Sequence, residues 1–393
     1  MEKKAVATLK RDAVHKLDQL GDEIWELSLA VHGNPELGYE EHIAAGLLTT
    51  ILRKHGFTIE RPVAGLATAF IAVFNKGAPG PKVAFIAEYD ALPGIGHGCG
   101  HNIIAAAAVG AALALRYADG FTGQVTVMGT PAEEGGGGKV RMVKAGCFDG
   151  LDIGLMIHPY NRTRIGDRCL AIDELKVTFT GLAAHASAEP EKGINALDAV
   201  IGVFNGISQL RQHVTPDVRM HGIITEGGVK PNIIPDRASA HFYLRAVDER
   251  TLASVVKRVK GIIDGAEKAT GAKAKVEHIK GYKSRKMVWT AIDTFTRNLE
   301  SLGVRTERAA ENTFTGSSDI GDLSHVIPVV HEYIAICDPD EAAIHSKAFT
   351  IAARTKRARK AMLSGAKAMA LTALDIFSDE ALFARIRAEF KNG

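Results

Sequence analysis

The 393-residue sequence predicts an α/β protein with two domains: a mixed sheet flanked by helices, interrupted by an inserted ferredoxin-like βαββαβ domain. Three observations carry this reading. Apolar runs such as 83–87, 124–128 and 153–157 alternate with helical stretches, as strands do in an open α/β sheet. From about residue 171 the order changes to strand, helix, strand, strand, helix, strand, and it changes back near Arg285. The length exceeds one comfortable core. The expected boundaries are 1–170 and 283–393 for the outer domain and 171–282 for the insert.

The N-terminal stretch from about Lys10 to Leu29 carries Val14, Leu17, Leu20, Ile24 and Leu27 at helical spacing. His32-Gly33-Asn34-Pro35-Glu36 stops it, and His32 reads better as a turn residue than as a site residue. A helix near 44–55 leads to strands around 67–74 and 83–87. The second strand ends in Glu88-Tyr89-Asp90, where Asp90 either orients a ligand histidine or caps the following turn. Next comes Gly96-His97-Gly98-Cys99-Gly100-His101-Asn102, a glycine-rich loop ahead of an alanine-rich helix. A thiolate and an imidazole two residues apart on such a loop can face one metal ion. In open α/β sheets, ligands bind beyond the carboxyl ends of the strands.

The strand at 124–128 ends in Thr130-Pro131-Ala132-Glu133-Glu134 and four glycines. No GK[ST] follows, so a phosphate loop is a poor reading. Two adjacent acids can divide labour, one ligating a metal and the other taking a proton from the water it acidifies. A solvated acidic turn is the plain alternative. His158 stands at the end of the strand 153–157, so three strand ends deliver ligand-type residues.

In the insert, strands are expected at 175–180, 218–226, 237–247 and 273–280, with helices at 193–213 and 249–270. His185, Asn232 and Arg245 are candidate substrate contacts there, although each such residue taken singly is more often structural. Beyond it come a helix at 288–302, a strand at 328–336, His345, and a long helical stretch from 349 to 377. The basic run from Arg354 to Lys360 reads as a solvated helix face.

Net charge of +3 gives no argument for a nucleic-acid partner. No run of eighteen apolar residues would span a membrane, and residues 1–20 lack a signal-peptide core. The four widely spaced cysteines follow no disulfide framework and suit a cytoplasmic location.

The motifs EYDALPGIGHGCGHN, GTPAEEGGGG, MIHP, HASAEP, GGVKPNIIP and AIHSKAF occur in an order that resembles the metal-dependent amidohydrolases and peptidases related to aminoacylase and carboxypeptidase G. The branch with aminobenzoyl-glutamate hydrolases and β-alanyl-lysine-type dipeptidases is the most similar. The resemblance spans about His32 to Ala348. It implies a zinc-peptidase-like catalytic domain with two divalent ions per subunit, zinc or manganese first, cobalt or nickel accepted. Cys99 would bridge them; His101 and His158 would hold one, Glu134 and His345 the other. Glu133 would be the general base and Asp90 the carboxylate behind a ligand histidine. The insert would be a lid and a homodimerisation domain, with His185 stabilising the oxyanion, in its own subunit or its partner's. Asn232 and Arg245 would hold the substrate. Many relatives have histidine-aspartate where this chain has His101-Asn102, which bears on substrate class more than on mechanism.

The implied reaction is hydrolysis of an amide bond in an N-acyl or aminoacyl amino acid, a dipeptide or an aminobenzoyl-glutamate-like compound. Three rivals remain. A cysteine hydrolase would use Cys99 and His101, but leaves Glu133, Glu134, His158 and His345 without a role. The same metal scaffold could remove an amino group from a small aromatic amine. A non-catalytic binding protein is at odds with an intact Glu133.

Overall fold

A computed structural model describes residues 3–77, 79–310 and 313–392. Helices α1 (Lys3–Gln19), α2 (Gly21–Gly33) and α3 (His42–Lys54) lead into β1 (Thr58–Glu60), β2 (Phe70–Asn75) and β3 (Lys82–Ala87). Then come α4 (His101–Tyr117), β4 (Gln124–Gly129), α5 (Gly138–Lys144), β5 (Ile153–Tyr160), β6 (Arg164–Ile165) and β7 (Arg168–Cys169). The middle of the chain holds β8 (Ala171–Thr180), α6 (Ala196–Leu210), β9 (Arg219–Glu226), β10 (Arg237–Ala246), α7 (Glu249–Thr270) and β11 (Lys273–Lys280). It closes with α8 (Trp289–Ser301), β12 (Glu307–Arg308), β13 (Phe314–Thr315), α9 (Ile320–Ser324), β14 (Val329–Ala335), α10 (Lys347–Ala352), α11 (Lys356–Ser378) and α12 (Glu380–Asn392).

These elements form two compact units. The first comprises Met1–Asp167, Lys286–Thr313 and Asp322–Gly393; the second comprises Arg168–Arg285 and Phe314–Gly321. Phe314–Gly321 joins the second unit through a short parallel pairing of β13 with β7 and a hydrogen bond from Ser317 Oγ to the Leu170 carbonyl (2.7 Å).

The first unit is built on a six-stranded mixed sheet in the order β1-β2-β4-β3-β5-β14. Strands β4, β3, β5 and β14 run parallel; β1 and β2 are antiparallel to their neighbours. Such a sheet is covered on both faces, which is why β3 and β5 read as continuous apolar runs. Helix α4 packs against β3, β5, α2 and α11, and every residue from His101 to Leu115 is buried. Its alanines let backbones approach closely, and a helix apolar all round belongs inside a core.

The helical expectations need three corrections. The stretch from Lys10 to Leu29 is two helices, broken at Leu20. The stretch from 349 to 377 is also two, because Thr355 caps α11 by accepting from the Ala358 N–H (3.2 Å). Helix α12, with only Leu382 and Ile386 buried, gave too thin an apolar stripe to be read.

The second unit is a four-stranded antiparallel sheet in the order β11-β8-β10-β9, the ferredoxin-like arrangement. Strand β8 alternates buried and open positions, and α6 and α7 supply the opposing apolar stripes around Val200, Val203, Val256 and Val259. Asp248 caps α7 through the Thr251 N–H (2.7 Å), and Gly271 ends that helix at φ 78°. Helix α7 and strand β11 keep the bounds that periodicity predicts. Among the described residues no helix is long and apolar enough to cross a membrane.

Candidate metal centre

In the first unit the ligand-type residues arrive from separate segments. Buried Glu88 and Asp90 follow β3 directly. The glycine-rich loop delivers buried Cys99, and Gly100, at φ 74°, turns the chain into α4. That φ suits glycine, and an added Cβ would meet Pro159 at 2.9 Å. His101 is therefore the first residue of α4 rather than a loop residue, and His158 lies inside β5 rather than beyond it. Glu133 and Glu134 occupy the turn between β4 and α5. His345 lies ahead of α10, its N–H donating to the Gly98 carbonyl (2.9 Å).

These side chains converge. Cys99 Sγ is 3.3 Å from His345 Nε2 and 3.8 Å from His158 Nε2. Glu134 Oε1 is 3.6 Å from His345 Nε2 and 4.0 Å from His101 Nε2. Three overlapping groups have ligand atoms within 4.8 Å of one another: Cys99, His101 and His158; Cys99, Glu134 and His345; His101, Glu133 and Glu134. Cys99 belongs to two of them. Among the described residues, His101 Nε2 and Glu134 Oε1 are buried without a hydrogen-bond partner. Each such atom costs about 1–3 kcal/mol. A cation would satisfy both, so the donor set fits a metal. Thiolate and imidazole favour zinc, while carboxylate and imidazole also accept manganese, cobalt or nickel.

The residues behind the ligands fix their orientation. His101 Nδ1 lies 2.9 Å from the Asp90 carbonyl and 3.0 Å from Asp90 Oδ1. Asp90 Oδ2 accepts the Glu134 N–H at 2.9 Å, so one carboxylate serves two segments of the cluster. His158 Nδ1 donates to the Pro159 carbonyl at 2.7 Å. Both histidines thus present Nε2 to the cluster. Burial pushes the Cys99 thiol well above its ordinary range and the His158 imidazole down to about 4. Burial works against the charged forms of His101 and Asp90 too, but their mutual attraction prevails, raising the imidazole and lowering the carboxyl.

Three residues here escaped the sequence reading. Lys139, fully buried, places Nζ 2.5 Å from Glu88 Oε1, while Glu88 Oε2 lies 3.5 Å from His101 Nε2. The only trace in the sequence is a lysine at the start of a helix, after four glycines. Glu41, also fully buried, hydrogen-bonds into the turn that carries Glu133. Other polar residues near the motif are occupied by packing. His97 Nε2 bonds the Val31 carbonyl (3.1 Å), His32 Nε2 the Thr350 carbonyl (2.8 Å), and Asn102 Nδ2 donates to Ser28 Oγ (2.9 Å) and the Ala353 carbonyl (3.2 Å).

His185, Asn232 and Arg245 lie in the second unit. His185 is on an exposed loop, its Nδ1 accepting the Ala188 N–H at 3.2 Å. Its backbone bridges to Ile233, and the Ala186 N–H donates to the Asn232 carbonyl at 3.0 Å, so His185 and Asn232 are neighbours. Arg245 stands apart on β10, its Nη1 donating to Ser317 Oγ at 3.3 Å. Burial lowers the pKa of this guanidinium, and its Nε has no hydrogen-bond partner among the described residues.

Comparison with known proteins agrees with this architecture. Residues 171–270 match the family model of the peptidase dimerisation domain. The mouse Xaa-Arg dipeptidase is 39% identical over 98% of this chain and 92% of its own length. A p-aminobenzoyl-glutamate hydrolase chain from Escherichia coli is 29% identical over 94% of this chain and 91% of its own. Among solved structures, a Bacillus subtilis dinuclear metal binding peptidase from the M20 family superposes with a TM-score of 0.70 over 91% of this chain and 99% of its own, at 20% identity, a likeness of fold. With sequence similarity sustained along nearly the whole chain, the protein belongs to the M20 family of peptidases, enzymes that hydrolyse amide bonds.

Proposed function

We propose that the protein is a dinuclear metal-dependent dipeptidase, cleaving the amide bond of a small aminoacyl or N-acyl amino acid. The observation that carries this reading is the convergence of Cys99, His101, Glu134, His158 and His345, with His101 Nε2 and Glu134 Oε1 buried and without a hydrogen-bond partner among the described residues. Cys99 would be common to both ions, with His101 and His158 holding one and Glu134 and His345 the other. Zinc or manganese are the first choices, and such a pair supplies Lewis acidity at the scissile carbonyl and at water.

The chain's own residues handle the protons and the substrate. Glu133 accepts a proton from the attacking water and returns it to the leaving nitrogen. Asp90 keeps His101 in one tautomer. His185 donates to the oxyanion, from its own subunit or from a partner in a homodimer built through 171–270. Asn232 and Arg245 hold the carbonyl or carboxylate of the substrate. The similarity to Xaa-Arg dipeptidase puts a dipeptide first, ahead of aminobenzoyl-glutamate. The four cysteines are free thiols, which suits a cytoplasmic enzyme.

The cysteine-hydrolase reading fares worse. It leaves Glu133, Glu134, His158 and His345, which converge with Cys99 and His101, without a role. The deciding experiment is a hydrolysis screen of protein loaded with zinc or manganese. The panel holds dipeptides with basic C-termini, β-alanyl dipeptides, aminobenzoyl-glutamate, N-acyl amino acids and arylamines. Chelation should abolish the activity, and re-added metal should restore it. Full activity in metal-free protein sinks the mechanism; release of ammonia from an arylamine alone moves it to the deaminating alternative.

A further inference from the structure

The turn that carries Glu133 and Glu134 begins with a residue in an unfavourable conformation. Ala132 has φ 56°, the left-handed region that a side chain disfavours. Such a residue persists only where its surroundings over-determine it. Here the surroundings come from a distant stretch, Gly38–Glu41, that no part of the mechanism uses.

Glu41 is fully buried. Its Oε1 accepts the Ala132 N–H at 2.8 Å, and its Oε2 accepts the Thr68 hydroxyl at 2.7 Å. Gly38 packs against the other side of Ala132: an added Cβ would stand 2.8 Å from the Ala132 Cβ and 3.1 Å from its Cα. The Tyr39 hydroxyl donates to the Gly136 carbonyl on the same turn. The Ala132 carbonyl accepts the Gly136 N–H at 3.1 Å, and Asp90 accepts the Glu134 N–H at 2.9 Å. The Glu133 carbonyl accepts the Gly135 N–H at 2.7 Å. The turn is thus fixed at Ala132 N, Ala132 O, Glu133 O, Glu134 N and Gly136 O. Of these anchors, the one that opens the turn, the Ala132 N–H, rests on a single carboxylate 91 residues away.

A buried carboxylate is a costly way to satisfy one N–H and one hydroxyl, since both could bond to backbone or water. Its two oxygens reach both partners at once, which matters where the conformation to be held is itself unfavourable. We propose that Glu41 is a positioning residue for catalysis: with Thr68 and Gly38 it clamps Ala132 in the left-handed conformation that aims Glu133 at the reacting centre. This rests on the reading of Glu133 as general base.

The test compares Glu41→Met with Glu41→Gln in zinc-loaded protein. Glutamine can keep both bonds, its oxygen accepting from Ala132 and its amide donating to Thr68 Oγ1. Glu41→Met should lower kcat roughly 30-fold or more with KM within about threefold, and weaken zinc at the Glu134 position about tenfold, read by competition with a chelating dye. Glu41→Gln should restore both to within about threefold of wild type. In Glu41→Met, adding Ala132→Gly should recover much of the lost kcat, because glycine adopts φ 56° without strain.

Wild-type kcat and zinc affinity in folded Glu41→Met overturn the proposal. So does a Glu41→Gln that falls as far as Glu41→Met. If Glu41→Met does not fold, Gly38→Ala decides: the added methyl pushes on Ala132, and wild-type kcat in that variant overturns the clamp. Glu133→Gln is the control. If it stays active, the general-base reading itself has failed; if it is inactive while the Glu41 and Gly38 variants are unaffected, only the clamp has.

Discussion

The two units hold their chemistry-bearing residues in opposite ways. In the first, Cys99, His101 and His158 are buried, the two imidazoles are oriented by backbone carbonyls and His101 by Asp90 as well, and their ligand atoms converge. In the second, His185 is exposed, and its loop is tied mainly by its own backbone and by Asn232. The difference matches the role proposed for each set. Metal ligands must be preorganised, because misplacement by a fraction of an ångström loses the ion; even His345, which is exposed, is pinned through its backbone N–H to the Gly98 carbonyl. A donor that acts on developing charge needs to be in place only when the substrate is, so an open loop is tolerable.

The sharpest way to break this comparison is to remove the proposed base, Glu133. Glu133→Gln should lower kcat by about two to four orders of magnitude while metal analysis shows both ions retained. Glu134→Gln should instead lose one ion. If the metal loss follows Glu133 and not Glu134, the two roles are reversed.

A somewhat smaller effect belongs to the open loop. His185→Ala should lower kcat by about two to three orders of magnitude with little change in KM or metal content. Mixing Glu133→Gln with His185→Ala protein tests whether the histidine works across a dimer. Restored activity in exchanged heterodimers assigns it to the partner's site; confirmed exchange without activity places it in its own chain or removes it from the mechanism.

The buried ion pair sharpens the contrast from the stability side. Lys139→Met removes the ammonium at Glu88 Oε1, leaving His101 as its remaining cationic neighbour, and should cost up to about 3–5 kcal/mol, measured by chemical denaturation of metal-free protein. Glu88→Met combined with Lys139→Met should recover most of that, since a matched apolar pair replaces the ions. Equal losses in the single and double variants would show that packing volume, not charge, is what matters there.

The smallest effect is expected at the surface. Partial burial would raise the Glu23 carboxyl, but Lys54 (2.6 Å) and His55 (3.3 Å) hold it below its usual value. A carboxylate depressed in the folded state adds stability above its unfolded pKa and loses it as pH falls through the folded one. Wild type and Glu23→Gln should therefore differ by at most about 1 kcal/mol at neutral pH and low salt, and converge in acid. A difference that persists in strong acid points to packing instead.

The sequence by itself determined the periodicities and the local signals. Strand β11 and helix α7 could be bounded to the residue, because alternation, Asp248 as a cap and Gly271 as a stop all act within a few residues. The candidate ligands were legible for a similar reason: ligand-type residues at strand ends, beside glycines, stand out before any contact is known. Only the tertiary structure decided what those residues rest on. Lys139 meets Glu88 across 51 residues of chain and Glu41 meets Ala132 across 91. Asn102, conspicuous next to His101, proves to be bound to Ser28 and the Ala353 carbonyl. A buried charge declares itself only through the distant group that satisfies it, and that pairing exists once the chain has folded.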